Sequence, residues 1–425
     1  MKKLNFRILA LIFAAFVMNA TLVSCDDDDD DNTDPEPESE FTISSNITEN
    51  TTWETGKTYI LADRISVEDG ATLTIQPGVV VKGQAGTGAN ATALLIARGG
   101  KLMAEGTADS PIIFTSVADE IEPGQIASPN LDPDLNGLWG GLIVLGKAPI
   151  SADAEAVQIE GVPPSDQNGL YGGSTAGDNS GVIKYVSVRH GGANIGEGNE
   201  INGITLGGVG TGTEIQHVEV VANQDDGIEC FGGTVDISNA LVWNQGDDAY
   251  DMDQAYSGTV DNFIYVGGET SDHGMELDGP EGSATGSYTL KNGTLVGWND
   301  DGVDGGEYAD LRDGVLCEIM DCYFTNFSEG SDFEFDAGDN DDNDAIRQNY
   351  LNGDVVLSGL EFNVSHLSGG NMTIEDIFND KYDGESVFEQ QAPGASIVTS
   401  PSVGADASVF AGWTWAENAG GLAGL

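Results

Sequence analysis

NQDDGIECFGG, residues 223–233, places two aspartates before a glycine and then alternates apolar and acidic side chains. The pattern returns as DDAYD from Asp247, DHGME from Asp272 and DDGVD from Asp300, at spacings of 22, 25 and 28 residues. These intervals are too long for a helical heptad and too regular for unrelated turns, so the chain is built from a repeated unit. Ile228 and Cys230, Tyr250 and Met252, Met275 and Leu277, with Val303, share one parity. Glu229, Asp251 and Asp253, Glu276 and Asp278, with Asp304, share the other. In a strand, opposite parity means opposite faces. One face is therefore apolar and the other carries carboxylates, repeat after repeat.

Around these strands, LVWN (241–244) aligns with LVGWN (295–299) and FTNF (324–327), each opening onto an acidic turn. A further strand reaches the next repeat through a polar bend at Asn239, Asn262, Asn292 and Asp321. Three strands and three bends in 22 to 30 residues describe one coil of a right-handed parallel β-helix. A single coil cannot bury its inner face, so several must stack about 4.8 Å apart. The same style runs through YILADRISVEDGATLTIQPGVVVKG (59–83), where DG and PG mark turns between short alternating strands. With no helical period between strands, a doubly wound α/β fold is excluded. The expected class is all-β, a single elongated solenoid over 53–370. An acidic tether over 25–52 precedes it and a capping segment over 371–425 completes the chain. Trp413 and Trp415, in FAGWTWAENAGG, are expected to close the end of the solenoid; a sugar platform is the alternative. Arg189 and His190 are expected to anchor a coil boundary.

Of 425 residues, 71 are Asp or Glu against 15 Lys or Arg, a net charge of −56. Such a surface repels nucleic acid and anionic headgroups and attracts divalent cations. The N-terminus reads as an address: MKKLNFR is a basic n-region, followed by the apolar ILALIFAAFVMNATL. It ends in LVSC, a lipobox that marks 1–24 for removal and Cys25 for lipid attachment. Asp26 to Asp31 and the adjoining NTDPEPESE form a self-repelling tether. Cys230, Cys317 and Cys322 remain. Cys317 and Cys322 flank a bend and are a possible disulfide, Cys230 reads as a buried apolar residue, and no zinc motif is present.

GATLTIQPGVVVKG (70–83), GKLMAEGTADSPIIFTS (100–116), WGGLIVLGKAPI (139–150) and IKYVSVRHGG (183–192) resemble phrases of β-helical lipoproteins of Bacteroidota. The stretch from about 56 to 370 is similar to pectin-lyase-like β-helix proteins. The acids after Cys25 resemble the surface-export signal of Bacteroidota lipoproteins, which implies an outer-membrane, outward-facing address. The resemblance implies fold and address; it names no reaction.

In register, Asp225, Asp247, Asp272 and Asp300 would form one column, and Asp226, Asp248, His273 and Asp301 a second. Glu229, Asp251, Glu276 and Asp304 would form a third. Like charges one coil apart cost about 3 kcal/mol per pair at an effective dielectric near 20. Calcium, with six to eight oxygen ligands, is the expected compensation. Turn chemistry accounts for acids beside glycine. It does not account for Glu229, Asp251, Asp253, Glu276, Asp278 and Asp304, the expected metal ligands, on a strand where acids are disfavoured. Hydrolases on this fold work through clustered aspartates, so Asp225, Asp226, Asp247 and Asp248, with His273 assisting, are the candidates for catalysis. A lyase would need a basic residue, and between 191 and 346 only Lys291 and Arg312 are available. DNDDND (339–344) is expected to be a solvated acidic loop. The leading expectation is a non-catalytic surface lipoprotein binding calcium and a glycan or outer-membrane partner. A polysaccharide hydrolase and an accessory subunit of an outer-membrane transporter are the alternatives.

Overall fold

The computed structural model describes residues 39–194, 201–282, 284–299, 306–336, 345–367, 372–380 and 386–425. Nearly all its strands fall into a 17-stranded and a 10-stranded parallel sheet, with one short antiparallel pair, Val157–Gln158 with Leu170–Tyr171. Each coil contributes a long strand bent in the middle to the larger sheet and a short strand to the smaller. This is the expected parallel β-helix. Within Ile237–Trp243, Thr259–Val266 and Tyr288–Val296 the bends fall at Asn239, Asn262 and Asn292, with φ of 55°, 59° and 55°. Asparagine tolerates this left-handed conformation. The side chains also stack, Asn262 Nδ2 donating to Asn239 Oδ1 at 2.7 Å.

The small sheet carries the alternating repeat. Ile228–Phe231 pairs with Tyr250–Asp253, which pairs with Glu276–Leu277, then Ala309–Leu311, Phe333–Phe335 and Phe378–Asp380. Ile228, Cys230, Tyr250, Met252, Met275 and Leu277 are all inside, at most 1% exposed. Gly227 is required by this interior, because a Cβ there would lie 2.4 Å from Val242 Cγ1.

Several expectations are corrected. The register places Asp310, not Asp304, opposite Glu276. Residues 300–305, with Asp300, Asp301, Val303 and Asp304, lie outside the described residues, as do 339–344 and Cys25. EYADL (307–311) alternates as well, and its lack of glycine and its tyrosine favour the strand it forms. Leu295 stands opposite Tyr265, which pairs with Val242, so LVWN and LVGWN stack one residue away from the expected alignment. A slip of one exchanges faces: Leu241 points outward.

The solenoid also begins earlier and ends later than expected. Glu40–Ile43 pairs with Thr58–Leu61, so part of the expected tether is the first coil. Phe378–Asp380 and Ala395–Ile397 extend the sheets beyond 370. The segment after Ile397 is a strap, not an end cap. Ser402 N–H donates to Glu361 at 2.6 Å, Ala405 N–H to Thr294 Oγ1 at 2.9 Å and Asp406 N–H to Asn262 Oδ1 at 2.6 Å. Trp415 then reaches Trp243 and Arg189, at 6.1 Å and 5.1 Å. The chain thus runs back along the solenoid, and Trp413 and Trp415, 0% and 4% exposed, cover outward-facing Leu241 and Ile264. Burial at that depth removes the sugar-platform alternative as well. Beneath the strap, Arg189 pairs with Glu219 at 3.5 Å with both side chains fully buried, and Glu219 Oε1 accepts Ala416 N–H at 2.9 Å. Finally, Cys230, Cys317 and Cys322 are free and buried. Cys322 Sγ donates instead to Met320 O at 3.3 Å, so the expected disulfide is not formed.

Candidate functional site

The outward face of the small sheet assembles the acids. Register runs Glu229↔Asp251↔Glu276↔Asp310↔Glu334, with coils of 22, 25, 34 and 24 residues. Asp310 and Glu334 were missed by sequence reasoning; the alternation in YADL and DFEFD was the available signal. Beside this column, the turn acids bond coil to coil. Asp226 Oδ1 accepts Asp248 N–H at 3.0 Å, and Asp248 Oδ1 accepts His273 N–H at 2.7 Å. His273 then forms a bridge with Glu307, which takes the place expected for Asp301.

The face divides by how its charge is compensated. At the later coils two cations are built in. His273 Nδ1 lies 2.7 Å from Asp248 Oδ1 and 3.8 Å from Glu276 Oε2. Burial works against its charge, but the hydrogen bond and charge of Asp248 prevail and push its pKa to about 9. Arg312 forks onto Asp278, with Nε and Nη2 at 2.8 and 2.9 Å from its two oxygens, and also contacts Glu276. Two expected metal ligands, Glu276 and Asp278, therefore already have a cationic partner.

At the earlier coils no such partner lies among the described residues. Asp226, Glu229 and Asp251 each offer an oxygen, all within 4.8 Å of one another. Among the described residues, none of the three forms an ion pair with Lys, Arg or His. Burial, then the neighbouring carboxylates, raise all three well above the usual carboxylate range. Asp251 Oδ1 is inaccessible and has no hydrogen-bond partner. Asn202, fully buried, directs Nδ2 to Glu229 Oε2 and, at 3.5 Å, to Glu160 Oε1. Its Oδ1 receives no hydrogen bond. Three carboxylate oxygens this close suit a hard divalent cation such as calcium.

Asp225 and Asp247 join Asp226 in a second group of oxygens within 4.8 Å, with Asp247 exposed. Asp253 stands opposite Phe231 and, with Asp278, Glu281 and Asp313, lines a depression of about 520 Å³. Burial is the main cause that raises Asp253 to about 7, and it pushes Asp278 upward against its ion pair with Arg312.

The profile of the family described as Pectate-lyase like beta helix domain matches residues 45–414, nearly the whole described solenoid. The chain belongs to this family. Neither a curated protein nor a solved structure matches it. The match in this pectate-lyase-like chain includes the strap residues to Thr414 and ends just before Trp415.

Proposed function

We propose that this pectate-lyase-like β-helix is a non-catalytic surface protein whose acidic face holds a divalent cation and engages a glycan. The observation that supports the reading is the cluster of buried Asp226 and Glu229 with half-buried Asp251, whose Oδ1 has no hydrogen-bond partner. Elsewhere on the same face His273 and Arg312 supply the compensating charge. Here an external cation does so. Calcium at a hundred times its dissociation constant adds about 2.7 kcal/mol of stability by mass action. Calorimetry in chelator against millimolar calcium tests this: the protein melts higher with calcium, and Asp251→Asn removes most of the gain. An equal melting temperature in both buffers overturns the reading.

The address belongs to the same proposal: lipid at Cys25 and the acids Asp26 to Asp31 place the protein on the outer membrane, facing outward. Cys25→Ala should release it from the membrane fraction; unchanged retention refutes the anchor. Replacing Asp26 to Asp31 with alanine should keep the lipid and lower protease access on intact cells.

The hydrolase reading is favoured by one observation, the raised pKa of Asp253, about 7, beside a depression. A carboxyl of this kind can hold and release a proton at working pH. Release of reducing sugar from a panel of polysaccharides, abolished by Asp253→Asn, would replace the non-catalytic reading.

A further inference from the structure

Charge changes sign along the small sheet. Its first coils place Arg64, Arg98 and Lys147 in, or just after, successive strands, whereas later ones carry Glu229, Asp251 and Glu276. Val67 pairs with Ile96 and Ile96 with Val144, so the turns that follow these strands stack. Asp69 and Arg98 stand at one level of that stack, and Lys147 lies one residue further on. Gly99, at φ 90°, makes room for them, because a Cβ there would run into the Asp69 carboxylate and the Lys147 ammonium. The segment between 147 and 173 forms the opposite wall. Arg64 holds Asp166 at 3.1 Å, and Asp166 accepts Asn168 N–H at 3.1 Å, which fixes Gln167 and Asn168 at the rim. Arg98 Nη1 donates to Gly172 O at 3.0 Å, and Gly172 N–H to Gly146 O at 3.0 Å. Between the walls lies a depression of about 300 Å³, lined mostly by polar side chains, those of Asp69, Arg98, Lys147, Gln167 and Asn168.

We infer that this depression binds the carboxylate of an acidic sugar, one charged ring on a molecule that is otherwise neutral. The site is separate from the cation cluster, and its binding needs no calcium. Arg64 is already paired. Arg98, half-buried, has no carboxylate partner among the described residues, in a chain with 71 acids against 15 Lys and Arg. The bond to Gly172 O holds the guanidinium in place, and its remaining fork suits a planar group of two oxygens. Lys147 meets Asp69 at 3.4 Å in an exposed, weak pair, so an incoming anion can share the ammonium. Arg98 and Lys147, less Asp69, leave one positive charge, the match for one carboxylate. A polymer charged on every ring would bring further charges against a molecule of net charge −56. The Gln167 and Asn168 amides donate and accept, and Asp69 accepts, so hydroxyls on the same ring find partners. The volume, at the lower end for ligand sites, holds about one ring.

Calorimetry at low ionic strength, in chelator, compares glucuronate, N-acetylneuraminate, glucose, glucose 6-phosphate and hexagalacturonate. At least one of the two monocarboxylates binds, glucose does not, and millimolar calcium leaves the affinity unchanged. The acid that binds is then offered as the terminal ring of a neutral trisaccharide; equal affinity identifies a chain end as the ligand, and lost affinity identifies the free acid. Arg98→Gln weakens binding at least about tenfold, the worth of hydrogen bonds to a charged group, and Arg98→Lys also weakens it because the fork is lost. Asp69→Asn frees Lys147 and tightens binding about two- to fivefold, the worth of an exposed ion pair. Several outcomes overturn the inference: neither monocarboxylate binds, glucose binds as tightly as they do, or binding requires calcium. Tighter binding of hexagalacturonate or glucose 6-phosphate than of both monocarboxylates overturns it too, as does an Asp69→Asn variant that binds no tighter. Asp69→Asn, an exposed substitution, decides the matter even if the Arg98 variants do not fold. The calcium melts bear on the cation cluster alone, so the two readings fail separately.

Discussion

The carboxylate of Asp226 accepts the backbone N–H of Asp248, one coil further on, at 3.0 Å. An acid in a turn commonly bonds its own backbone; this one bonds its neighbour's. Asp248 repeats the act toward His273, so the paired aspartates stitch consecutive turns together. Asp226→Ala would leave Asp248 N–H without its acceptor and is expected to cost roughly 1–3 kcal/mol, read from denaturant melts. An unchanged midpoint would show that the stitch contributes nothing.

Removing Arg312 should expose the repulsion it masks. Arg312→Ala leaves Glu276 and Asp278 without their cation, and a loss of roughly 1.5–3 kcal/mol is expected for hydrogen bonds to charged groups. The variant should also gain more from calcium than the wild type does. A smaller gain would mean that these two acids lie beyond the reach of a bound cation.

Stability without cation should fall as pH rises. Asp253 has a folded pKa near 7, above the unfolded carboxylate range, so its contribution is complete below about pH 4 and lost as pH rises through 7. His273, raised to about 9, contributes fully below its unfolded value and loses that contribution as pH passes 9. The signs agree. Melting in chelator should decline steadily from pH 5 to pH 9, and calcium should flatten the decline. A rising profile in chelator would contradict the raised values.

The strap should hold the coils it crosses. Trp415→Ala opens space above the Arg189–Glu219 pair and deletes a large buried ring, at an expected cost of about 3–5 kcal/mol. Limited proteolysis should then cut near 398–425 before the solenoid. Equal protease resistance would show that the strap contributes little to stability.

Gly227→Ala separates turn chemistry from packing. Its Cβ would strike Val242 inside the coil, so destabilisation of about 1–3 kcal/mol is expected from overpacking. If Gly227 served only as a flexible turn residue, the substitution would be nearly neutral.

The sequence by itself determined the solenoid, because the period-two alternation of Ile228, Glu229 and Cys230, renewed at Tyr250 and Met275, leaves the apolar residues one place to go. It also determined the asparagine bends, since Asn239, Asn262 and Asn292 tolerate a left-handed backbone. Tertiary structure alone decided the register at Asp310, because pairing opposite Glu276 is set by the stacking of whole coils and not by the local alternation. It alone decided which acids are compensated. Arg312 lies 34 residues from Asp278, and only the stacking of one coil on the next brings its guanidinium to that carboxylate. The strap is the same kind of fact. Nothing local in FAGWTWAENAGG says that Trp415 will lie over Arg189, because the partners of an apolar segment are set by which outward face, here that of Leu241 and Ile264, remains to be covered.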